Sequence, residues 1–299
     1  MSQPLVSIIV VSYNHARFIT ENLDSIKAQS YGNIELIVAD DASQDNSIAT
    51  FDKWLAENDV SAKKNYHKIN TGLTTMVNEC LKMAKGEYVK LIAADDFLHI
   101  NYIERCVDSL IKTNMKAVIT NAFAVDKESQ IISDAYFDIP SYGSQSEMAE
   151  ILMHYNFVPG STLFLAKDVF EKVGHYAHDT ILEDYNFALR MAKAELIIGV
   201  IRNSLIYYRR HENNLTVTKI ERLQVERIKE QILFDESGSY SGIVSTNILR
   251  EIVVGNSSLP LIRSLYQNYR GRDKRAMIGL RYPKLYRLLF RLKNKLSSK

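Results

Sequence analysis

A chain of 299 residues with 46% hydrophobic and 24% charged side chains can bury a sizeable core and reads as one large α/β domain with an appendage. Apolar runs such as Val6–Val11 fall far short of the roughly 18–20 residues that a membrane span needs, and no basic-then-apolar leader opens the chain, so neither spanning nor secretion is indicated. The net charge of +2 hides an asymmetry: residues 270–299 hold 11 Lys or Arg against the single acid Asp273, while the rest holds 26 basic against 34 acidic side chains. That split argues for a basic tail with its own partner and against a nucleic-acid-binding body.

Val6-Ser7-Ile8-Ile9-Val10-Val11 is a β-branched run without alternation, the pattern of a parallel strand covered on both faces. Polar Ser12-Tyr13-Asn14-His15 ends it, and Phe18, Ile19, Leu23 and Ile26 then recur at helical spacing until Tyr31-Gly32-Asn33. The unit repeats with a strand over Ile34–Ala39, Ser43 as N-cap, and a helix carrying Ile48, Phe51, Trp54 and Leu55. A third strand is expected near Tyr66–Ile69, followed by Asn70-Thr71-Gly72 and a helix with Met76, Val77, Cys80, Leu81 and Met83 that stops before Gly86. Tyr88–Ala93 supplies a fourth strand, and after Asn101 a helix with Ile103, Val107, Leu110 and Ile111 leads to a strand over Ala117–Thr120. Cys80 and Cys106 fall on apolar helical stripes, so buried thiols in a reducing cytoplasm are expected.

This alternation predicts an open, mostly parallel sheet with helices on both faces, whose ligand sits at the carboxyl ends of the strands. Residues 125–165 mix short strands with turns at Pro140-Ser141-Tyr142-Gly143 and Pro159-Gly160, as expected of loops that build an acceptor site. Leu196–Tyr208 reads as a strand pair, and the pattern turns helical from about residue 217.

Asp40-Asp41 stands just past the second strand and Asp95-Asp96 just past the fourth, so both pairs project from one rim of the sheet. Clustered carboxylates raise one another's pKa, and a divalent cation with oxygen ligands, Mg²⁺ or Mn²⁺, bridging to a diphosphate relieves the repulsion. A capped turn at Asp40-Asp41-Ala42-Ser43 is the bland alternative for the first pair alone.

Val6–Asn14, Asp40-Asp41-Ala42-Ser43-Gln44-Asp45, Asn70-Thr71-Gly72, Lys85-Gly86-Glu87-Tyr88 and Asp95-Asp96 resemble, in order and spacing, the successive motifs of family 2 inverting glycosyltransferases. A weaker match continues through Glu183-Asp184 to His211. The resemblance implies a GT-A fold and a sugar transfer from a nucleotide-diphosphate donor, UDP-linked by the same analogy, to a glycan or lipid-linked acceptor in surface polysaccharide biosynthesis. By the same resemblance Ser12, Tyr13, Asn14, Asp40, Asp41, Asn70, Gly72, Asn78, Asp95, Arg209 and Arg210 face the nucleotide sugar, and Asp95, Asp96 and His211 hold Mn²⁺ or Mg²⁺. Where many members read Asp-X-Asp-Asp, this chain has Ala93-Ala94-Asp95-Asp96, without the first acid. Asp184 corresponds to the family's catalytic base and Glu183 stands beside it, although Thr180 and Glu183 also have the spacing of a helix-capping box.

The expected organisation is a transferase domain over 1–215, with a nucleotide half to about 100 and an acceptor half beyond, a helical extension over 216–269, and a basic tail over 270–299. In the tail Leu285, Leu288, Leu289, Leu292 and Leu296 share one helical face and Lys284, Arg287, Arg291 and Lys295 an adjoining one. Such a helix can lie on an anionic membrane surface, placing a cytoplasmic enzyme on the inner face of the cell membrane, or dock on its own domain by the leucines. Two rivals to an active transferase are a catalytically degenerate binding protein and a receiver-like phospho-signalling module.

Overall fold

The computed structural model describes residues 3–212, 214 and 218–297; the side chains of residues 294–297, among them the tail's Lys295 and Leu296, lie outside that description. Strands β1 (Val6–Ser12), β2 (Ile34–Asp40), β3 (Ala62–Tyr66) and β4 (Tyr88–Ala93) alternate with helices α1 (Ile19–Lys27), α2 (Ser47–Glu57) and α3 (Leu73–Met83). Then follow β5 (Phe97–Leu98), α4 (Tyr102–Thr113), β6 (Ala117–Val125), β7 (Ile131–Ser133), α5 (Gln145–His154), β8 (Phe164–Ala166), α6 (Val169–Val173), α7 (Glu183–Lys193) and β9 (Ile198–Arg209). The chain order in the sheet is β3-β2-β1-β4-β8-β6-β9-β5, with β7 added on β6. β1 lies parallel to both β2 and β4, and antiparallel β8 joins β4 to β6.

Every side chain of β1 is buried, as its unalternating apolar run requires. Because Ser12 pairs with Asp40 in register and Val11 with Ala93, the chain segments leaving β2 and β4 flank the end of β1. The backbone extends that pairing: Asp41 N–H donates to Ser12 O at 3.0 Å and Ala94 N–H to Val11 O at 2.9 Å. Both thiols are buried, Cys80 in α3 and Cys106 in α4.

Several elements depart from expectation. The third strand ends at Tyr66 instead of beginning there, because this edge strand is built from Lys63 and Lys64, which alternation of apolar residues does not mark. Residues 198–209 form one long strand, parallel to β6 with two register shifts near Asn121, and not a pair. α5 breaks up the expected loop region. Its signal lay in Ser144, whose hydroxyl accepts from Glu147 N–H, ahead of Met148, Ala149, Leu152 and Met153. Gly86 is not a helix stop: α3 ends at Met83, and a Cβ on Gly86 would meet Ser7 N at 2.5 Å, so close approach to β1 fixes the glycine.

Helices α8 (Ile220–Phe234), α9 (Ser241–Val254), α10 (Pro260–Asn268), α11 (Lys274–Arg281) and α12 (Pro283–Ser297) follow. They join the α/β body through α8, where Asn186 donates to Glu230 at 2.7 Å and Gln231 donates to Met153 O at 2.6 Å. Among the described residues no helix is long and apolar enough to cross a membrane.

Candidate active site

The end of β1 and the turn after β2 are laced together by short polar side chains. Asp40 accepts from the Ser43 N–H at 2.8 Å and its hydroxyl at 2.6 Å. Ser43 in turn accepts from Asn14 N–H, and the Asn14 side chain accepts from Gln44 N–H, both at 2.7 Å. Asn14 takes a left-handed φ of 59°, which asparagine tolerates. Ser43 therefore ties two loops and is not an N-cap; α2 begins at Ser47, whose N–H and hydroxyl donate to Asp45. Asp45 also accepts from Ala16 N–H, and Ser47 accepts from His15 N–H, both at 3.0 Å. That lacing fixes His15 above the rim. Tyr13 is exposed, whereas the Ser12 hydroxyl is buried and lacks a protein partner.

Asp41 accepts from the N–H groups of Thr71 and Gly72, each at 2.8 Å, and from His67 at 2.9 Å, and Asn70 donates to its carbonyl at 3.3 Å. Burial disfavours its charge, but the bonds from Thr71, His67 and Gly72 outweigh this and hold the carboxyl below the usual range. His67 continues to Glu79 at 2.7 Å. Asp41 thus braces the start of α3 against β2. Asn78 proves to be a brace too: its side-chain amide donates to Tyr176 O at 2.8 Å and accepts from Tyr176 N–H at 3.0 Å, so both ends of the amide hold backbone instead of facing a nucleotide.

At the end of β4 the two acids separate in role. Asp96 is buried and accepts from Arg209 N–H at 2.9 Å; burial and the neighbouring Asp95 charge raise its pKa well above the ordinary value. Asp95 instead meets His211 at 3.0 Å and His15 at 3.8 Å. Burial again opposes ionisation, yet the bond to His211 and the proximity of His15 keep its carboxyl low. One ligand atom from each of His15, Asp95 and His211 lies within 4.8 Å of the other two, and among the described residues this is the cluster able to hold a metal ion. Asp96, expected from the sequence to be a ligand, is not part of it. Two imidazoles and a carboxylate suit a divalent transition ion such as Mn²⁺, and the buried His15 Nδ1 has no protein partner.

Arg209 corrects a second expectation. Its guanidinium is 1% exposed and donates to Asp95 O at 2.8 Å, Asp126 O at 2.9 Å, Ser129 Oγ at 3.0 Å and the Glu21 carboxylate, with the Phe18 and Phe97 rings beneath it. It anchors the loop carrying Asp95 and does not offset the charge of a ligand. The exposed member of the pair is Arg210, whose guanidinium lies over Tyr136.

Glu183 opens α7, but the expected capping box does not form: Thr180 Oγ accepts from Leu182 N–H at 3.1 Å, and Leu182 is the cap residue. Asp184 Oδ1 accepts from Asn156 at 3.2 Å and from Tyr185 N–H at 2.6 Å, and Oδ2 from Gly160 N–H at 3.0 Å. Burial raises both carboxyls; Glu183, with the Asp184 charge beside it, is pushed up to about 8. Gly160 opens the 3₁₀ turn Gly160–Thr162, which packs against β4, β6, β9 and α7. Buried Lys90 on β4 donates to Ser161 O and Tyr102 on α4 donates to Thr162 O at 2.9 Å, so the turn under Asp184 is held from α4 and from the strand that leads into Asp95. His15, Glu21, His67 and Lys90 were not singled out from sequence. For His15 a signal existed, since it follows β1 on the rim where strand carboxyl ends collect ligands.

The sequence matches the family described as Glycosyl transferase family 2 over residues 7–174. An uncharacterized glycosyltransferase of Haemophilus influenzae is 28% identical over 314 residues, covering 98% of this chain and 94% of that protein. The chondroitin synthase of Escherichia coli is 25% identical, over 80% of this chain but 33% of its own length. Among solved structures, residues 1–349 of S. aureus TarS in complex with UDP-GlcNAc superpose with a TM-score of 0.64 at 17% identity, over 95% of this chain and 88% of that one. The Pyrobaculum calidifontis mannosyltransferase PcManGT, in complex with GDP-Man and Mn²⁺, gives a TM-score of 0.57 at 15% identity, covering 100% and 89%. The order of the sheet, with antiparallel β8 and β5, excludes the receiver-like alternative, whose doubly wound order is 2-1-3-4-5. The fold is GT-A, and the chain belongs to glycosyl transferase family 2.

Proposed function

We propose that this enzyme transfers a sugar, with inversion, from a UDP-linked donor to a hydroxyl of a glycan or lipid-linked acceptor in surface polysaccharide assembly. The observation that carries the reading is the convergence of His15, Asp95 and His211 beside the rim formed by Ser12, Asp40 and Asp41. Similarity to the chondroitin synthase and to a protein solved with UDP-GlcNAc supports a glycan acceptor and a UDP donor.

His15, Asp95 and His211 are the residues that would hold Mn²⁺, their two imidazoles fitting it better than Mg²⁺, and such an ion supplies electrostatic stabilisation of the charge gathering on a diphosphate, an effect of several kcal/mol. With Ala93 in place of the first acid, His15 completes the donor set. Ser12, Tyr13 and Asn70 line the nucleotide side, and exposed Arg210 faces the phosphates. Asp184 Oδ1 is engaged twice, whereas Oδ2 accepts only from Gly160 and keeps a lone pair for an incoming hydroxyl. Asp184 takes the acceptor's proton as the acceptor oxygen bonds to the anomeric carbon and the bond from that carbon to the diphosphate oxygen breaks on the opposite face. Both electrons of that bond leave with the diphosphate, and configuration inverts.

Thermal unfolding with a panel of nucleotide sugars, with and without Mn²⁺, tests the donor assignment, since a ligand of the folded state raises the midpoint. A UDP-sugar should raise it most, and Asp184→Asn should preserve the shift while abolishing transfer. Transfer at the normal rate by Asp184→Asn would assign the base elsewhere.

A further inference from the structure

The tail helix α12 is docked the unexpected way round. At 3.6 residues per turn Leu285, Leu288, Leu289 and Leu292 fall within roughly 100° of arc, and Pro283, Tyr286 and Arg287 occupy the opposite side. The opposite side is the one that meets the protein. Tyr286 packs on the core and approaches Gly279 of α11, while the Arg287 guanidinium sits against Gly255 with its Nε buried. The leucines are left outside: Leu285 is 53%, Leu288 56%, Leu289 56% and Leu292 50% exposed. Exposed Lys284 and Arg291 border the stripe on one side and exposed Lys293 on the other. Arg287 therefore does not belong to the outward basic set.

A stripe of four half-exposed leucines is a liability in water unless something covers it. The chain's own domain does not, because α12 already rests on α9 and α11 by its other side. A second copy would bring two such stripes together with like charges along both borders, and residues 270–299 carry no acid besides Asp273 to relieve them. A surface that is apolar below and anionic at the level of the cationic borders matches both features at once.

We propose that the outward face of α12 docks on an anionic lipid bilayer, with Leu285, Leu288, Leu289 and Leu292 entering the acyl boundary and Lys284, Arg291 and Lys293 meeting the headgroups. The helix lies in the plane of the interface and does not cross it. Because α12 is joined to the body through α9 and α11, the contact tethers the whole enzyme and not a loose tail.

The test is cosedimentation of the full chain with phosphatidylcholine vesicles containing about a third phosphatidylglycerol, against phosphatidylcholine alone. The wild type should sediment with the anionic vesicles only, and less at high salt. Leu288→Glu combined with Leu292→Glu should weaken binding at least tenfold, as should Lys284→Glu combined with Arg291→Glu. Both pairs are exposed, so an unchanged thermal midpoint is the control for folding. The proposal is overturned if the wild type ignores anionic vesicles, or if the leucine variant binds them as well as the wild type does. A wild-type dimer in solution that the leucine variant converts to monomer would assign the face to a second copy and equally overturn it.

Discussion

Replacing Arg209 by Met tests whether that guanidinium is a structural anchor. The substitution keeps an apolar stem over Phe18 and Phe97 but removes donors to Asp95 O, Asp126 O and Ser129 Oγ. Each of these bonds contributes about 1–1.5 kcal/mol net, and buried carbonyls left without a donor push the sum toward 4 kcal/mol. The pairing with Glu21 adds little to that figure, because the Glu21 side chain is 40% exposed and water screens it. For a chain of this size 1 kcal/mol moves the midpoint by about 2 °C, so a loss of about 8 °C is expected. Urea unfolding followed by far-UV circular dichroism and by the fluorescence of Trp54, the single tryptophan, gives the free energy from two probes. Arg209→Lys should recover less than half of the loss, since an ammonium cannot span acceptors arranged around a planar fork. A Met variant within about 1 kcal/mol of wild type would refute the anchoring role.

Glu35 gathers Lys63, the Ser7 hydroxyl and the N–H groups of Lys85 and Gly86 at the opposite end of the sheet. Burial opposes its charge, but those partners outweigh it and hold its pKa at about 2, below the ordinary 4.5. The stabilisation is therefore complete above pH 4.5 and disappears as pH falls toward 2, so Glu35→Gln should be less stable than wild type at neutral pH and approach it in acid. A difference that stays constant across that window in urea titrations would contradict the linkage. As the proposed base, Asp184 must be ionised to accept a proton, and burial raises its pKa, so kcat/KM should fall as pH drops on an acid limb displaced upward from the ordinary aspartate value. Glu183→Gln should keep that limb, whereas an acid limb at the usual carboxylate value would argue against Asp184.

Strands β1, β2 and β4 were legible to within a residue because an apolar run covered on both faces admits few other readings. The placement of the two aspartate pairs followed from those strands alone. What the sequence withheld is where polar side chains turn once the rim has formed. Arg209 and Arg210 are adjacent and chemically alike, yet Glu21, Asp126 and Ser129, each at least 80 residues away in the chain, draw only the first inward. Asp95 and Asp96 likewise diverge because one faces two histidines and the other a backbone N–H of β9. His15 was hidden for a related reason: its place depends on Asp45 and Ser47 across two loops, not on any spacing within its own motif. β3 and α5 escaped because an edge strand rich in lysine and a short capped helix carry weak periodicity.

The most direct test of the central claim is calorimetric titration of UDP into the protein with Mn²⁺ and again with a chelator, for the wild type and for Asp95→Asn. If His15, Asp95 and His211 hold an ion that grips the diphosphate, Mn²⁺ should tighten UDP binding at least tenfold in the wild type, about 1.4 kcal/mol, and should have no effect in the variant. Equal UDP affinity with and without Mn²⁺ in the wild type, or an undiminished Mn²⁺ effect in Asp95→Asn, would contradict it.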